Sequence, residues 1–184
     1  MILTETTLTG AVLVDIEMMS DERGGFARTW CAREFAAAGL ADVTVQSSIA
    51  TNHVAGTLRG MHFQAVPHAE AKLVRCTRGA IYDVLVDLRP ESATYLEWIG
   101  VELSATNHRA LYVPPGVAHG YQTLTDNTEI VYQMSEFYSP DAGQGVRWDD
   151  PVVAIEWPPT LRRVMSPRDR AYPNYVPVAE TSRV

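Results

Sequence analysis

The sequence predicts an all-β protein, a sandwich or a barrel, and two observations carry that prediction. Short runs of alternating or β-branched residues dominate the chain, and Gly, Pro, Asn and Asp punctuate them. The runs recur about every 8–14 residues, a spacing typical of sandwiches and barrels rather than of βαβ units. We predict strands over Ala11–Ile16, Val43–Ala50, Thr57–Gln64, Lys72–Thr77, Ala80–Leu88, Tyr95–Leu103, Arg109–Val113, Tyr121–Leu124 and Thr128–Phe137.

Helical structure is predicted to be scarce. One helix is expected over Ala32–Ala38, and Gly39 is a suitable stop for it. The Pro-rich segment from about residue 158 is expected to be irregular or to form short helical turns over the surface. No repeat, low-complexity tract or linker divides the chain, so residues 1–184 are predicted to form a single domain.

The composition is that of a folded globule, with 46% hydrophobic and 20% charged residues. The formal net charge is −7, which argues against a broad nucleic-acid-binding surface. Of the 15 basic residues only Lys72 is a lysine, and the other 14 are arginines. The coding bias of a GC-rich genome explains the scarcity of lysine, but it does not explain why this position kept one.

Cysteine use and the N-terminus bear on the compartment. Cys31 and Cys76 form neither a CxxC pair nor a disulfide framework. The first ten residues show no signal-peptide pattern, and no apolar run approaches the roughly 18 residues of a membrane helix. We therefore expect a cytoplasmic protein without a membrane or nucleic-acid partner.

The predicted strand Ala80–Leu88 places two aspartates, Asp83 and Asp87, on the same face as Ile81 and Leu85. A buried lone carboxylate is costly, so these groups must be solvated or paired. Lys72 on the preceding strand is one expected partner, and water at the end of the strand is the other interpretation.

Two histidine-centred stretches carry the candidate chemistry. Gly56 to Gln64 contains His62 and is followed by Glu70 and Gly79, and Pro114 to Gly120 contains His119. Their spacings resemble the two motifs of the cupin superfamily, which implies a double-stranded β-helix, or jelly-roll, barrel with a few short helices. Gln64 stands where a metal-binding cupin has its second histidine, and two histidines alone make a weak metal site. Neither a metal nor another cofactor is expected.

A longer ordered set of residues narrows the resemblance. It comprises Asp21-Glu-Arg-Gly24, Gln46, Arg59-Gly-Met-His-Phe-Gln64, Lys72-Leu-Val74, Asp83-Val84, Val86-Asp-Leu-Arg89, Pro115-Gly-Val-Ala-His-Gly120, Tyr132, Tyr138, Trp148-Asp-Asp-Pro151, Trp157-Pro158 and Ser166-Pro-Arg-Asp169. Over roughly residues 3–173 the chain resembles the dTDP-4-dehydrorhamnose 3,5-epimerase family. The resemblance implies inversion of C3, C5 or both in a nucleotide-linked 4-keto-6-deoxyhexose. That chemistry needs a base, a group that stabilises the enolate, and an acid on the opposite face.

The resemblance implies four catalytic residues. His62 is the family's base, and imidazole suits that role because its unperturbed pKa is about 6.5. Asp169 corresponds to the aspartate that orients this histidine. Lys72 lies at the position beside the ketone of the sugar, where an ammonium offers a point charge to an oxyanion. Tyr132 is the proton donor, and it shares a predicted strand face with Ile130 and Met134 that should point into the barrel.

The resemblance also implies a substrate-binding set and a homodimer. Arginines suit bidentate recognition of phosphate, and aromatic side chains suit a nucleobase. Strict alternation puts Arg59 on the face opposite His62, so either a bulge at Gly60 or a role in a neighbouring subunit is required. An exposed strand such as Ala11–Ile16 would let a second copy extend the sheet. The implied binding residues are Arg23, Phe26, Arg28, Gln46, Ser48, Arg59, His119, Tyr138 and Arg168.

Three binding positions depart from the family pattern. Arg28 and Gly143 replace residues that are usually Glu, and Ser47-Ser48 replaces an Asp-Asn or similar pair. Losing acids and gaining an arginine predicts an altered nucleotide, such as GDP or CDP, or an altered sugar. An epimerase acting at one carbon is a rival within the family. A metal-dependent cupin and a non-catalytic sugar-binding cupin are the rivals outside it.

Overall fold

The computed structural model describes residues 1–178, so the last six residues of the predicted domain and of its irregular tail lie outside the described part. Strands dominate, and the two helices are short. The strands are β1 Ile2–Glu5, β2 Val12–Asp15, β3 Met19–Asp21, β4 Gly24–Phe26, β5 Gln46–Asn52, β6 Leu58–Gln64, β7 Lys72–Arg78, β8 Ala80–Asp87, β9 Trp98–Ser104, β10 Ala110–Val113, β11 Val117–Thr123, β12 Thr128–Met134 and β13 Gly143–Gly145; the helices are α1 Ala32–Ala37 and α2 Pro167–Arg170.

Two antiparallel sheets form the body of the molecule. A six-stranded sheet has the order β1-β2-β10-β7-β12-β5, and a five-stranded sheet has the order β13-β6-β11-β8-β9. The chain passes from one sheet to the other between β6 and β7 and again between β7 and β8. The predicted all-β, cupin-like jelly roll with a few short helices is confirmed.

Three apolar clusters cover both faces of each sheet. The first lies between the sheets and includes Val74, Leu85, Leu111 and Tyr121. The second packs the outer face of the six-stranded sheet against α1 through Phe35. The third packs the outer face of the five-stranded sheet against the C-terminal segment. Period-two alternation therefore decides which side chains enter the barrel interior.

The strand predictions were sound for the longer elements and wrong at some ends. The predicted strand from Tyr95 begins at Trp98, because Leu96 has a positive φ of 66° in the preceding turn. The strand predicted from Tyr121 begins at Val117. Strands β1, β3, β4 and β13 were missed, since three or four residues are too few to show a period.

The predicted helix is confirmed, and its buried Phe35 anchors it on the sheet. Gly39, with a φ of +70°, follows its end as expected. The prediction that Ala11–Ile16 contains an exposed edge strand is wrong. β2 is paired on both sides, with β1 and with β10, so the edges of this sheet are β1 and β5.

No helix within residues 1–178 is long and apolar enough to cross a membrane.

Candidate active site

A β-bulge in β6 brings Arg59 and His62 to the same face. Tyr121 is the register partner of Arg59, and His119 is the partner of His62, so three steps on β6 match two on β11. Gly60 makes this geometry accessible because its φ is +129° and an added Cβ would lie 2.5 Å from the Cα of Gly120. The structure thus favours the bulge over strict alternation.

His62 is held by a buried carboxylate. Its Nε2 lies 2.8 Å from Oδ1 of Asp169, while 41% of the imidazole side chain remains exposed. Helix α2 places the carboxylate: the Asp169 N–H donates to the Ser166 hydroxyl, and Pro167 fits the first turn. Because Nε2 faces Asp169, Nδ1 is the ring nitrogen left for chemistry.

The ionisation of Asp169 supports that arrangement. Burial raises the pKa of its carboxyl, but the hydrogen bond and charge of His62, followed by the N–H of Gly60 and the Ser166 hydroxyl, lower it by more. The net pKa lies below the ordinary value, so Asp169 is an anion when it accepts from the His62 N–H.

Lys72 pairs with Glu70, and the predicted pairing with Asp83 or Asp87 is wrong. The Lys72 Nζ lies 2.8 Å from Oε1 of Glu70, and both side chains are largely buried. Strands β7 and β8 are consecutive in the chain but lie in different sheets, and Asp83 pairs with His119 on β11. Asp87 pairs with Arg89 instead.

A second histidine–carboxylate pair lies deeper in the barrel. His119 Nε2 is 2.7 Å from Oδ1 of Asp83, and both groups are buried. The Tyr132 ring packs edge-on against His119, with 6.1 Å between the ring centroids. Burial, and then the neighbouring phenol of Tyr121, raise the pKa of Tyr132 well above its usual value. Tyr132 therefore keeps its proton at neutral pH, as a proton donor must.

One cavity of about 260 Å³ collects much of the predicted set. The predicted catalytic side chains that line it are His62 and Lys72, and the predicted binding side chains are Tyr138 and Arg168. Its other lining residues are Phe63, Gln64, Glu70, Met134, Gly143 and Gln144. A neighbouring cavity of about 410 Å³ is lined by Arg59, Asp169 and, again, His62. His62 and Arg168 line both cavities and thus join the two spaces.

Two glutamines hold the segment that carries Tyr138. Gln64 donates to the carbonyl of Phe137 at 3.2 Å and accepts from the N–H of Ser139 at 2.6 Å. Gln46 accepts from the N–H of Tyr138 at 3.1 Å. Gln64 therefore uses its amide to position one wall of the cavity, and the predicted binding residue Gln46 lies behind Tyr138.

The arginines differ in how they are held. Arg168 Nη2 donates to the Gly143 carbonyl at 3.3 Å and borders the cavity. Arg59 Nε donates to Oδ1 of Asn52 at 2.9 Å, which ties it to the end of β5. Both guanidiniums keep further N–H donors for an anionic ligand.

Of the nine predicted binding residues, Tyr138 and Arg168 line the 260 Å³ cavity and Arg59 lines the neighbouring one, whereas Gln46, His119 and four others line neither, and neither does the predicted donor Tyr132. The four others lie on exposed parts of the single chain. Arg23 and Phe26 lie on or beside the exposed β3–β4 hairpin, where Arg23 pairs with Asp21. Arg28 pairs with Glu34 at 2.8 Å, and Ser48 is exposed on the edge strand β5 opposite Tyr132.

The sequence reasoning missed two functional contacts. Glu70 was noted only as part of a cupin motif, although its spacing of two from Lys72 puts the pair on one face of an extended segment. Asp83 was recognised as needing a partner, but only the adjacency of β8 and β11 shows that this partner is His119. Among residues 1–178 no group of three or more His, Cys, Asp or Glu side chains is arranged to hold a metal ion.

An imidazole backed by a carboxylate and an ammonium beside it are the groups that proton abstraction next to a carbonyl requires. On a cupin-like barrel they define a carbohydrate epimerase, an isomerase. A family model described as dTDP-4-dehydrorhamnose 3,5-epimerase matches residues 5–176. The chain belongs to the dTDP-4-dehydrorhamnose 3,5-epimerase family, as the sequence resemblance predicted.

Individual relatives agree with the family model. The dTDP-4-dehydrorhamnose 3,5-epimerase of Methanothermobacter thermautotrophicus is 41% identical over 178 residues, which are 96% of this chain and 94% of that protein. The enzyme of that name from Bacillus anthracis, solved with TDP and PPi bound, has a TM-score of 0.90 and 42% identity and covers 94% of this chain and 98% of its own. ChmJ of Streptomyces bikiniensis, a 3'-monoepimerase in complex with dTDP-quinovose, has a TM-score of 0.87 and 32% identity, with coverage of 93% and 86%.

Proposed function

We propose that the protein epimerises C3 and C5 of a dTDP-linked 4-keto-6-deoxyhexose, converting dTDP-4-dehydro-6-deoxyglucose to dTDP-4-dehydrorhamnose. The observation that carries this proposal is that His62, backed by Asp169, and Lys72 line the same cavity. Family membership and the nucleotide-bound relatives supply the substrate class.

The proposed reaction begins with removal of a carbon-bound proton next to the ketone. His62 Nδ1 takes the proton, and the ionised Asp169 stabilises the resulting imidazolium. The electron pair of the broken C–H bond forms a C=C bond, and the carbonyl electrons move onto the ketone oxygen. The Lys72 ammonium stabilises that oxyanion.

Reprotonation on the other face of the sugar completes the inversion. His62 lies on β6 of the five-stranded sheet, and Tyr132 lies on β12 of the six-stranded sheet. The two side chains come from different sheets, which supports their proposed action on opposite faces of the sugar. The raised pKa of the Tyr132 phenol keeps it protonated for this step, and His119 packs against its ring.

The nucleotide is proposed to lie where the cavity opens past Tyr138 and Arg168. Arg168 offers donors to the diphosphate, and the Tyr138 ring, about half exposed, offers a face to the base.

Arg23 and Phe26 are displayed on an exposed hairpin away from the cavity. We propose a homodimer in which this hairpin docks on a second copy, which sedimentation equilibrium tests: a monomer at micromolar concentration would contradict it.

The compartment proposed is the cytoplasm, and the state of the thiols supports it. Cys31 and Cys76 are both free, as is usual for proteins of a reducing compartment.

Two narrower alternatives stay open to test. Action at a single carbon is an alternative because ChmJ, a 3'-monoepimerase, is also similar to this chain. A GDP- or CDP-linked substrate is an alternative because Gly143 lines the cavity without a side chain at a position where the family usually has Glu. Thermal unfolding with dTDP, GDP, CDP and UDP decides the nucleotide, because the cognate one should raise the midpoint most.

Incubation with the dTDP-linked keto sugar in D2O, followed by NMR, tests the function and the carbons together. We expect deuterium at C3 and at C5; deuterium at one carbon supports the single-carbon alternative, and none with any of the nucleotides refutes the epimerase. His62→Ala should abolish exchange at both carbons, whereas Tyr132→Phe should keep some exchange and lose net inversion. His53→Ala, an exposed histidine outside the site, is the matched control.

A further inference from the structure

Glu70, one of the residues that line the cavity, carries an unused acceptor. Its Oε1 lies 2.8 Å from the Lys72 Nζ, whereas its Oε2 is buried and has no hydrogen-bond partner among the described residues. Glu70 and Lys72 both line the 260 Å³ cavity with His62. A buried carboxylate oxygen without a donor is rare and unfavourable in a protein that has no use for it.

The pair Glu70–Lys72 combines an acceptor and a donor side by side. An ionised carboxylate only accepts hydrogen bonds, and an ammonium only donates them. Glu70 Oε2 therefore suits a ligand group that donates, such as a hydroxyl, and Lys72 suits one that accepts, such as a ketone oxygen. Two such ligand groups on adjoining carbons match the pair.

A 4-keto-6-deoxyhexose carries this combination at C4 and C3. The C4 ketone only accepts, and the C3 hydroxyl next to it can donate. We propose that Glu70 is a substrate-contacting residue whose Oε2 accepts a hydrogen bond from the C3 hydroxyl while Lys72 holds the C4 oxygen. The inference rests on the proposed function and assigns the recognition of one sugar hydroxyl to a residue outside the predicted site.

This contact gives the charge of Glu70 a second role. The first role is to balance the charge of Lys72, so that the cavity offers a paired ammonium to a neutral ketone. The second role is to fix the rotation of the sugar ring through the hydrogen bond to the C3 hydroxyl. In Glu70→Gln the amide oxygen would stay on Lys72, and the amide NH2 would replace Oε2. The variant keeps the shape of the side chain and turns the acceptor into a donor.

A cycle of two enzymes and two sugars tests the proposal. The sugars are the dTDP-linked 4-keto-6-deoxyhexose and its 3-deoxy analogue, and the readout is kcat/KM for deuterium entry at C5, a carbon both sugars share. For the wild type, loss of the C3 hydroxyl should lower kcat/KM about 10- to 150-fold, the range of a hydrogen bond to a charged group. For Glu70→Gln the same loss should be less than about threefold.

Controls separate this contact from a purely structural role. Glu102→Gln, an exposed residue of β9, makes the same chemical change away from the cavity and should show the wild-type ratio. The assignment would be overturned if the ratio of kcat/KM for the parent sugar to kcat/KM for the 3-deoxy sugar were equal in wild type and Glu70→Gln. It would also be overturned if Glu70→Gln changed the corresponding ratio for a 2-deoxy analogue instead.

Two further outcomes remain decisive. If Glu70→Gln folds but is inactive, calorimetric binding of the two sugars replaces kcat/KM in the cycle. If it does not fold, the wild type alone decides, because equal kcat/KM for the parent and the 3-deoxy sugar would overturn the proposal. No exchange by the wild type with the parent sugar would refute the proposed function itself.

Discussion

Replacing Asp169 with Asn tests the link between His62 and its buried carboxylate, whose oxygen lies 2.8 Å from Nε2. The Asn side chain has the same shape, so packing is kept. Its amide oxygen would face the N–H of Gly60, which now helps to lower the Asp169 pKa. Its NH2 would then face His62 Nε2 and leave the ring proton on Nδ1, the nitrogen that has to act as base.

The size of the effect follows from two contributions. A hydrogen bond to a charged group stabilises by about 1.5–3 kcal/mol, which is roughly 10- to 150-fold in rate. The wrong tautomer adds to this, and the corresponding change in a serine protease triad costs about 10⁴ in kcat. Since 41% of the His62 side chain is exposed, water weakens both contributions. We expect kcat for deuterium exchange to fall about 10²- to 10³-fold, with KM changed little.

The assay is NMR-detected exchange at both carbons, with thermal unfolding as a check on folding. Asp42→Asn, an exposed aspartate between α1 and β5, is the matched control and should exchange like the wild type. If Asp169→Asn folds normally and exchanges within about threefold of the wild type, the carboxylate does not orient the base and this reasoning is wrong.

Three other perturbations have defined outcomes. Lys72→Arg keeps the charge but not the point geometry, so exchange should fall at least tenfold, toward the 10²–10³ typical of a lost oxyanion donor; unchanged kcat would contradict the role. Gly60→Ala should lower the free energy of unfolding, measured in urea, by about 3 kcal/mol or more, because the added Cβ would collide with the backbone of Gly120. The control Gly24→Ala has a similar φ of +125° but open space around the added Cβ, so it should lose only about 1–3 kcal/mol. Burial raises the pKa of Asp87, but hydrogen bonds led by Arg89 lower it by more, so its pKa in the folded state lies below the ordinary value of about 3.9. The ionised Asp87 therefore stabilises the fold fully above that pH. This stabilisation is lost as the pH falls through the lower pKa of the folded state. Asp87→Asn should cost about 3 kcal/mol at pH 7 and flatten the acid limb of a urea-midpoint titration, and an unchanged limb would count against it.

The barrel and the identity of the main chemical groups could be predicted from the sequence. Period two placed Ile130, Tyr132 and Met134 on one face, and the structure has Ile130 in the core and Tyr132 packed against it. The strand ends were less predictable, because turns such as the one at Leu96 depend on local backbone conformation rather than on the apolar pattern.

The alternation of apolar and polar residues does not predict which strands become neighbours in a sheet. Lys72 and Asp83 lie on consecutive strands, so the sequence suggested a pair, yet the jelly roll sends β7 and β8 to different sheets. Asp83 finds His119 because β11 lies between β8 and β6. Strand order in a jelly roll is set by long-range packing, and a period of two says only which face a residue occupies.

The same topology explains how an acidic protein can serve an anionic substrate. The net charge of −7 is spread over the whole chain, but the cavity borders Arg168 and Lys72 as well as Glu70. The Lys72–Glu70 pair is close to neutral, which suits a neutral keto sugar, while Arg168 forms no ion pair within residues 1–178 and borders the side where Tyr138 is exposed. This distribution supports the proposed binding of a diphosphate beside Arg168 and of the ketone beside Lys72. In the proposed complex, polarity within the site rather than the total charge of the protein orients the substrate, with His62 facing the carbon next to the ketone.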